Sequence, residues 1–144
     1  MISIIYYKDG TDKSLGSYEH WALSRPCEEA GWGIIAEGLP GATTLRYTSV
    51  PLLPSEECET AYSTAPDVNA LCAGDIGGGI GSCVGDNGGG LYCWSPNSQR
   101  YVVGGVISWR EGCALPGKPG IYMDIAKYRD WILSIINASS ISKG

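Results

Sequence analysis

Short hydrophobic runs and alternating hydrophobic and polar positions fill most of the chain, and they predict β-strands rather than long helices. Residues 44–50 alternate with period two, which indicates a strand with one buried face. Residues 91–94 and 101–109 are rich in residues that strands favour, and Asn97-Ser98 forms the predicted turn between them. Residues 2–7 are a further apolar run of strand length. The pattern therefore predicts a mainly β domain, a barrel or a sandwich.

Three segments depart from the strand pattern. Residues 56–62 are a predicted short helix, with Ser55 as its cap and with Glu56 and Glu57 in the first turn, where the helix dipole favours acids. Residues 74–90 are glycine-rich and lack periodicity, so they are a predicted loop. Near the C-terminus, hydrophobic residues recur at helical spacing and predict an amphipathic helix: Ile125, Tyr128, Trp131, Ile132, Ile135 and Ile136.

Composition limits the class of protein. A chain of 144 residues suits one domain, and a hydrophobic fraction of 44% is enough for a core. The 21 glycines and 8 prolines favour tight turns. No apolar stretch approaches the roughly 20 residues of a membrane-spanning helix, so we expect no membrane association. The net charge of −5 and the pI of about 4.7 argue against a nucleic-acid partner, which would need a basic face.

The cysteines indicate an oxidising compartment. Six cysteines occur, none in a CxxC pair, and His20 is the single histidine, so a metal site is not expected. Three disulfides and a secreted protein are expected instead, although spacing alone leaves about 15 pairings. Residues 2–7 are too short for the apolar core of a signal peptide, so the chain is expected to be a processed piece or to have a truncated N-terminus.

Short motifs occur along the chain in a fixed order. They are a cysteine followed by Gly-Trp-Gly at 27–33, Leu-Cys-Ala-Gly at 71–74, Ser-Cys-Val-Gly-Asp-Asn-Gly-Gly-Gly at 82–90, Val-Ile-Ser-Trp, Gly-Cys-Ala and Lys-Pro-Gly-Ile-Tyr within 106–122, and Tyr-Arg-Asp-Trp-Ile at 128–132. The set resembles the trypsin/chymotrypsin family of serine proteases. In that family the third motif reads SCxGDSGGP and carries the nucleophile, the fourth group forms the walls of the specificity pocket, and the last lies in the terminal helix.

The resemblance spans residues 27–136 and implies a fold. We expect a single six-stranded antiparallel β-barrel, the C-terminal half of the chymotrypsin-like double barrel, with a short intermediate helix and a C-terminal α-helix. Residues 27–144 would form this barrel and helix, and residues 1–26 a divergent N-terminal segment that could supply the first strand. The resemblance also implies three disulfides: Cys27–Cys93, Cys58–Cys72 and Cys83–Cys113.

The catalytic position holds the wrong side chain for peptide cleavage. Asn87 stands where the family has its nucleophilic serine, and an amide has no hydroxyl from which an acyl-enzyme could form. The backbone N–H groups of Gly85 and Asn87 could still form an oxyanion hole. Asp86 is the family's activation aspartate, which pairs with a freed N-terminal amine. Since no IVGG-type N-terminus occurs, we expect Asp86 to face solvent or to find local donors, as in a zymogen.

The partners of the nucleophile are not identifiable either. The surroundings of His20 do not match the family's TAAHC segment, so we read His20 as an ordinary histidine. Residues 2–5 could correspond to the strand after the catalytic aspartate, which would place Met1 at the aspartate position. Asp9 and Asp12 do not fit that motif. The resemblance therefore leaves no intact catalytic residue and implies no cofactor.

The pocket also departs from the trypsin pattern. Gly81 lies where trypsin-like members carry the aspartate at the pocket floor, so recognition of Lys or Arg is not expected. Arg110 replaces the glycine usual at the entrance, and it either covers the mouth or swings into solvent. Ser108 and Trp109 would offer a strand edge to a peptide backbone. The remaining residues that the resemblance assigns to this pocket are Ser82, Gly120 and Tyr122.

The resemblance covers only the family's second barrel, and this affects which partners we expect. The two barrels of the family pack together, so one barrel alone should expose an apolar face. A second chain could supply the missing barrel, the gene model could be incomplete, or the lone barrel could have adapted to bind a protein or peptide in the old substrate cleft. Asn137-Ala138-Ser139 fits the glycosylation sequon, and an unmodified asparagine near the helix end is the alternative.

Three functional hypotheses remain open from the sequence. The first is a catalytically inactive homologue that serves as a secreted binding or regulatory module. The second is a chain or fragment of an active serine-type endopeptidase, with its nucleophile mutated and its first barrel supplied elsewhere. The third is a non-functional truncated gene product. Asn87 favours the first hypothesis.

Overall fold

The structure is a computed structural model that describes residues 25–62, 68–96 and 98–141, with side chains as far as residue 138. The strand predicted at 2–7, together with the readings of Met1, Asp9, Asp12 and His20, lies outside these residues. Seven strands and two helices are described, which confirms the mainly β class. They are β1 Cys27–Gly31, β2 Arg46–Val50, β3 Leu52–Leu53, α1 Ser55–Ala61, β4 Ala70–Ala73, β5 Gly90–Ser95, β6 Arg100–Trp109, β7 Gly120–Asp124 and α2 Ile125–Ile141.

The strands form one antiparallel sheet that nearly closes into a barrel. Their order is β2-β1-β5-β6-β7-β4-β3, so the two edge strands are β2 and β3. Only Pro51 separates these two strands in the chain, which brings the edges of the sheet together. Proline has no N–H to donate to the ladder, so it stands between the two strands. The sheet thus has seven strands where six were expected.

The core lies inside the barrel and includes disulfides. One cluster of buried residues comprises Cys27, Val50, Ala73, Leu91, Cys93, Ile107 and Tyr122. A second, between α1 and the barrel wall, comprises Cys58, Tyr62, Cys72 and Ile121. The bridges are Cys27–Cys93, Cys58–Cys72 and Cys83–Cys113, the pairing that the resemblance implies. The third bridge ties the glycine-rich loop to the loop between β6 and β7, the two segments that form the site described below.

Both helices occur where they were predicted, but their ends and faces differ in detail. The cap assigned to Ser55 is wrong, because Ser55 is the first helical residue, Pro54 occupies the cap position, and no side chain caps the helix. In α2, Trp131 is 64% exposed and Ile135 52% exposed, as expected for a barrel whose partner half is absent from the described residues. No described helix is long and apolar enough to cross a membrane.

Candidate functional site

The glycine-rich loop before β5 is held by backbone hydrogen bonds. The Gly88 N–H donates to the Ile107 carbonyl at 2.9 Å, and the Ile107 N–H donates to the Gly89 carbonyl at 2.8 Å. Gly85 and Gly88 have φ values of +99° and +83°, which only glycine adopts readily. Asn87 lies between them and is exposed. The backbone thus fixes this loop against β6 and leaves the Asn87 side chain accessible.

Asp86 is anchored by local backbone donors. Its Oδ1 accepts the Gly33 N–H at 2.8 Å, and its Oδ2 accepts the Cys83 N–H at 2.9 Å. A Cβ on Gly31 would lie 1.9 Å from Oδ1, and one on Gly33 would lie 2.4 Å from Oδ2. The Gly-Trp-Gly motif therefore makes room for this carboxylate. Of the two arrangements expected from the sequence, Asp86 adopts the one with local donors.

Arg110 folds over the pocket rather than into solvent. Its Nη1 donates to Asn87 Oδ1 at 3.2 Å, and its Nε is buried with no hydrogen-bond partner. Burial lowers the pKa of the guanidinium, while the charge of Asp86 opposes that effect. Arg110, Gly81, Ser82, Gly120 and Tyr122 line one cavity of about 10 Å³, room for no more than one water. Asp75, Lys118 and Pro119 are among the other lining residues.

An acid that the sequence analysis did not assign lies beside the pocket floor. Glu29, on β1, is 3% exposed, and the Tyr122 hydroxyl donates to its Oε2 at 2.7 Å. Its Oε1 is buried without a partner and lies 4.0 Å from where a Cβ on Gly81 would be. Burial raises the pKa of the Glu29 carboxyl and the charge of Asp86 raises it too, while the Tyr122 hydrogen bond and, more weakly, the neighbouring Ser82 lower it. Gly81 thus leaves the floor without its own acid, but a neighbouring strand supplies one.

The alternation of side chains along β1 could have predicted that Glu29 is buried. Glu28 and Glu29 are consecutive in a strand, so their side chains must point to opposite faces. Glu29 has the same parity as Cys27, which is fully buried, and so points into the barrel. The Glu28 side chain instead accepts the Tyr101 hydroxyl at 2.9 Å in an exposed position. A buried glutamate was therefore predictable once Cys27 was placed in the core.

The other predicted site residues are Ser108, Trp109, Gly120 and Asn137, and only Gly120 lines the small cavity. Ser108 and Trp109 are on β6 and do not line the small cavity, and the Trp109 ring packs edge-on against Tyr62 with centroids 5.0 Å apart. Gly120 is needed for space, because a Cβ there would lie 2.9 Å from the Tyr122 ring. Asn137 is exposed within α2, before its end, and its glycosylation stays a prediction.

A second, larger cavity lies on the other side of Glu29. It measures about 270 Å³ and is open to solvent. Glu29, Gly81 and Asp86 line it, together with Gly33 and residues of β2. Gly81 and Ser82 line both this cavity and the small one beside Arg110, whereas Glu29 and Asp86 line only the larger one of the two.

The chain is similar to proteins of one family, the trypsin-like serine proteases. Residues 13–132 match the Trypsin family. The chain is 43% identical over 116 residues to human "Serine protease 56" and 41% identical over 115 residues to the mouse protein of the same name. It is 33% identical over 117 residues to "Ovochymase" of Halocynthia roretzi. These matches cover 79%, 78% and 81% of the chain but only 19%, 19% and 7% of the relatives, so the chain spans less than a fifth of their length.

Proposed function

The chain belongs to the trypsin family, and from this premise we propose that it is a catalytically inactive member that binds a ligand in the family's substrate cleft. The observation that carries the proposal is Asn87 at the position of the nucleophile. Acyl transfer needs an oxygen or sulfur that can lose a proton and attack a carbonyl. The amide of Asn87 offers neither, so no covalent intermediate can form on it.

The neighbour of Asn87 also supports inactivity. A nucleophile in this mechanism needs a base that accepts its proton. The group hydrogen-bonded to Asn87 is instead the Arg110 guanidinium, which donates and stays protonated. Arg110 also lines the small cavity at the family's specificity pocket, which measures only about 10 Å³ and has no room for a substrate side chain. Both features oppose turnover, and neither opposes binding of a ligand that displaces Arg110.

We propose that this module is secreted and acts outside the cell. Three disulfides in a domain of this size are typical of secreted proteins, because the cytosol keeps thiols reduced. Asn137 is exposed and begins a glycosylation sequon, which fits the same setting. A binding or regulatory role in that compartment follows from a cleft that is kept while its nucleophile is absent.

A second candidate function is the chain of an active endopeptidase whose serine was replaced. It is favoured by the intact backbone of the loop, in which the Gly88 and Ile107 hydrogen bonds are in place. In that case Asn87→Ser alone would restore a nucleophile of the right geometry once the first barrel is present. The missing activity would then be a property of one side chain and not of the domain.

The experiment that separates the two candidates is labelling with a fluorophosphonate, which reacts with activated serines. The purified chain and its Asn87→Ser and Asn87→Ala variants are incubated with the probe and examined by intact mass. We expect no adduct on the chain or on Asn87→Ala. An adduct on the natural chain, or ester hydrolysis with stoichiometric acyl-enzyme, would refute the proposal. Labelling of Asn87→Ser joined to its first barrel would favour the second candidate.

A further inference from the structure

We propose that the outer face of the sheet carries a binding site for a small quaternary ammonium ion of the choline type, formed by the side chains of Glu28, Tyr92, Trp94 and Tyr101. The site lies in a groove of about 600 Å³ that is open to solvent. None of the residues that line this groove lines the small cavity beside Arg110. The inference therefore goes beyond the proposed function and does not depend on whether the cleft binds a ligand.

Strand pairing places these four side chains on one face of the sheet. Glu28 of β1 lies opposite Tyr92 of β5, and paired residues of an antiparallel sheet share a face. Trp94 of β5 likewise lies opposite Tyr101 of β6. Tyr92 and Trp94 are two positions apart in one strand, so their side chains point the same way. This face is the outer one, because the residue between them, Cys93, is buried in the core.

Contacts within the protein hold the three rings in place. The Trp94 and Tyr101 rings meet edge to face, with centroids 5.4 Å apart and planes at 74°, so they form a nearly perpendicular corner. The Tyr101 hydroxyl donates to Glu28 Oε1 at 2.9 Å. The Tyr92 ring lies over Gly90, where a Cβ would be 2.6 Å from its Cζ. A ligand that enters such a preformed site orders few side chains, which lowers the entropic cost of binding.

The charge at these rings favours a cation over an anion. The pKa of the Tyr101 hydroxyl is raised, first by its hydrogen bond to Glu28 and then by burial and the Glu28 charge, while the charge of Arg25 offsets only part of this. The negative charge of Glu28 therefore outweighs the positive charge of Arg25 at the ring. Arg100 also lines the groove, but its Nε donates to the Ser98 carbonyl in an exposed position, where solvent screens its charge.

The aromatic rings determine which kind of cation the groove favours. The faces of tryptophan and tyrosine rings are negative and attract a cation within about 6 Å of the ring centre. A primary ammonium is strongly hydrated, and an open groove with one carboxylate cannot replace its water. A quaternary ammonium carries its charge on methyl groups, which can contact several rings at once. It also needs no hydrogen-bond acceptor, which suits a Glu28 carboxylate that already accepts the Tyr101 hydroxyl.

The experiment is an NMR titration of choline with the full chain, followed by the N-methyl signal of the ligand. We expect saturable binding with an upfield shift of this signal, because methyl groups that lie over an aromatic ring are shielded. Two analogues are the matched ligand controls. Dimethylbutanol, the carbon isostere of choline, lacks the charge, and ethanolamine keeps the charge but lacks the methyl groups. Choline should bind at least about fivefold more tightly than either, which corresponds to one cation–π contact.

Variants of the chain test whether choline binds in the groove. Trp94→Leu removes one ring but keeps an apolar side chain, and it should weaken choline binding at least about fivefold, whereas Trp94→Phe should keep most of the affinity. Glu28→Gln keeps the shape of the side chain and should weaken binding by removing the charge, which covers the case in which Trp94→Leu does not fold. Trp131→Leu is the matched control, because Trp131 is 64% exposed on α2 and does not line the groove, and it should change nothing.

Four results would overturn the inference. Choline that does not bind saturably would exclude the site. Equal binding of choline and dimethylbutanol would mean that the groove is only an apolar surface, and equal binding of choline and ethanolamine would mean simple attraction to the Glu28 charge. Equal effects of Trp94→Leu and Trp131→Leu would place the ligand outside the groove. Fluorophosphonate labelling of the natural chain concerns only the cleft, so the proposed function and this inference can fail separately.

Discussion

Glu29→Gln should stabilise the folded chain at neutral pH, although it alters a buried residue with a hydrogen-bonded partner. The glutamate is 3% exposed, and its Oε1 has no donor. Glutamine has nearly the same shape and keeps an oxygen that accepts the Tyr122 hydroxyl. It removes the charge that burial and Asp86 both disfavour. Burying an unsatisfied polar group costs about 1–3 kcal/mol, and we expect a gain in the lower half of that range, since the glutamine amide also needs a partner.

The pH dependence gives the sign of this effect. The pKa of Glu29 is raised in the folded chain, so the folded state binds the proton more tightly than the unfolded state does. The stability linked to this group is therefore fully present below the unfolded pKa and is lost as pH rises through the folded pKa. Glu29→Gln lacks this loss. Its advantage should be largest above the folded pKa and should disappear in acid.

The assay is urea unfolding under oxidising conditions, followed by tryptophan fluorescence at about pH 8 and at about pH 4, the lower of which is below an ordinary glutamate's pKa. The control is Glu28→Gln on the outer face of the same strand, which should give no gain at either pH. The reasoning fails if Glu29→Gln is destabilised at the higher pH by 1 kcal/mol or more, about the value of one hydrogen bond. It also fails if its stability relative to the natural chain is the same at both pH values.

Three further changes test single contacts, each by thermal or urea unfolding. Gly31→Ala should destabilise the chain by about 1–3 kcal/mol, because its Cβ would lie 1.9 Å from Asp86 Oδ1, and an unchanged midpoint would contradict this placement of Asp86. Tyr122→Phe should cost about 1–3 kcal/mol at neutral pH and less in acid, since it leaves Glu29 Oε2 without its donor. Asp124→Ala should cost about 1 kcal/mol, because it removes the carboxylate oxygen that accepts the Ala126 N–H at 2.9 Å at the start of α2. Asp124→Asn keeps such an oxygen and should lose much less stability. Equal losses in the two variants would exclude a capping role.

Much of the fold was predictable, because the hydrophobic periodicity of a strand can be read from neighbouring residues and the order of the cysteines matches the family. The strands predicted at 91–94 and 101–109 occur as Gly90–Ser95 and Arg100–Trp109. The errors have physical causes that act across the chain. Pro51, which cannot donate to the ladder, separates β2 from β3, and Pro54 rather than Ser55 stands at the cap position of α1.

The site was predictable only in part. The loop residues Gly85, Asp86 and Asn87 were assigned by motif, and their backbone geometry agrees with an ordered turn. The direction of Arg110 could not be predicted, since its rotamers are close in energy and the choice depends on the Asn87 amide and on the wall of the pocket. The motif also could not indicate that β1 would supply an acid at the floor, because that depends on which face of the strand turns inward.

The site residues that depart from the family's pattern lie close together, and their proximity suggests why they occur. Asn87 at the nucleophile position is hydrogen-bonded to Arg110 at the pocket entrance. Gly81 at the floor lies beside Glu29, which is tied to Tyr122. Random decay of a non-functional product would affect disulfides and the glycines around Asp86 as readily as the pocket, and a lost bridge alone would cost about 2–5 kcal/mol. All three bridges and both glycines are present. The clustering of these changes, in a barrel that keeps its bridges, supports our proposal of a cleft adapted to a ligand over a remnant.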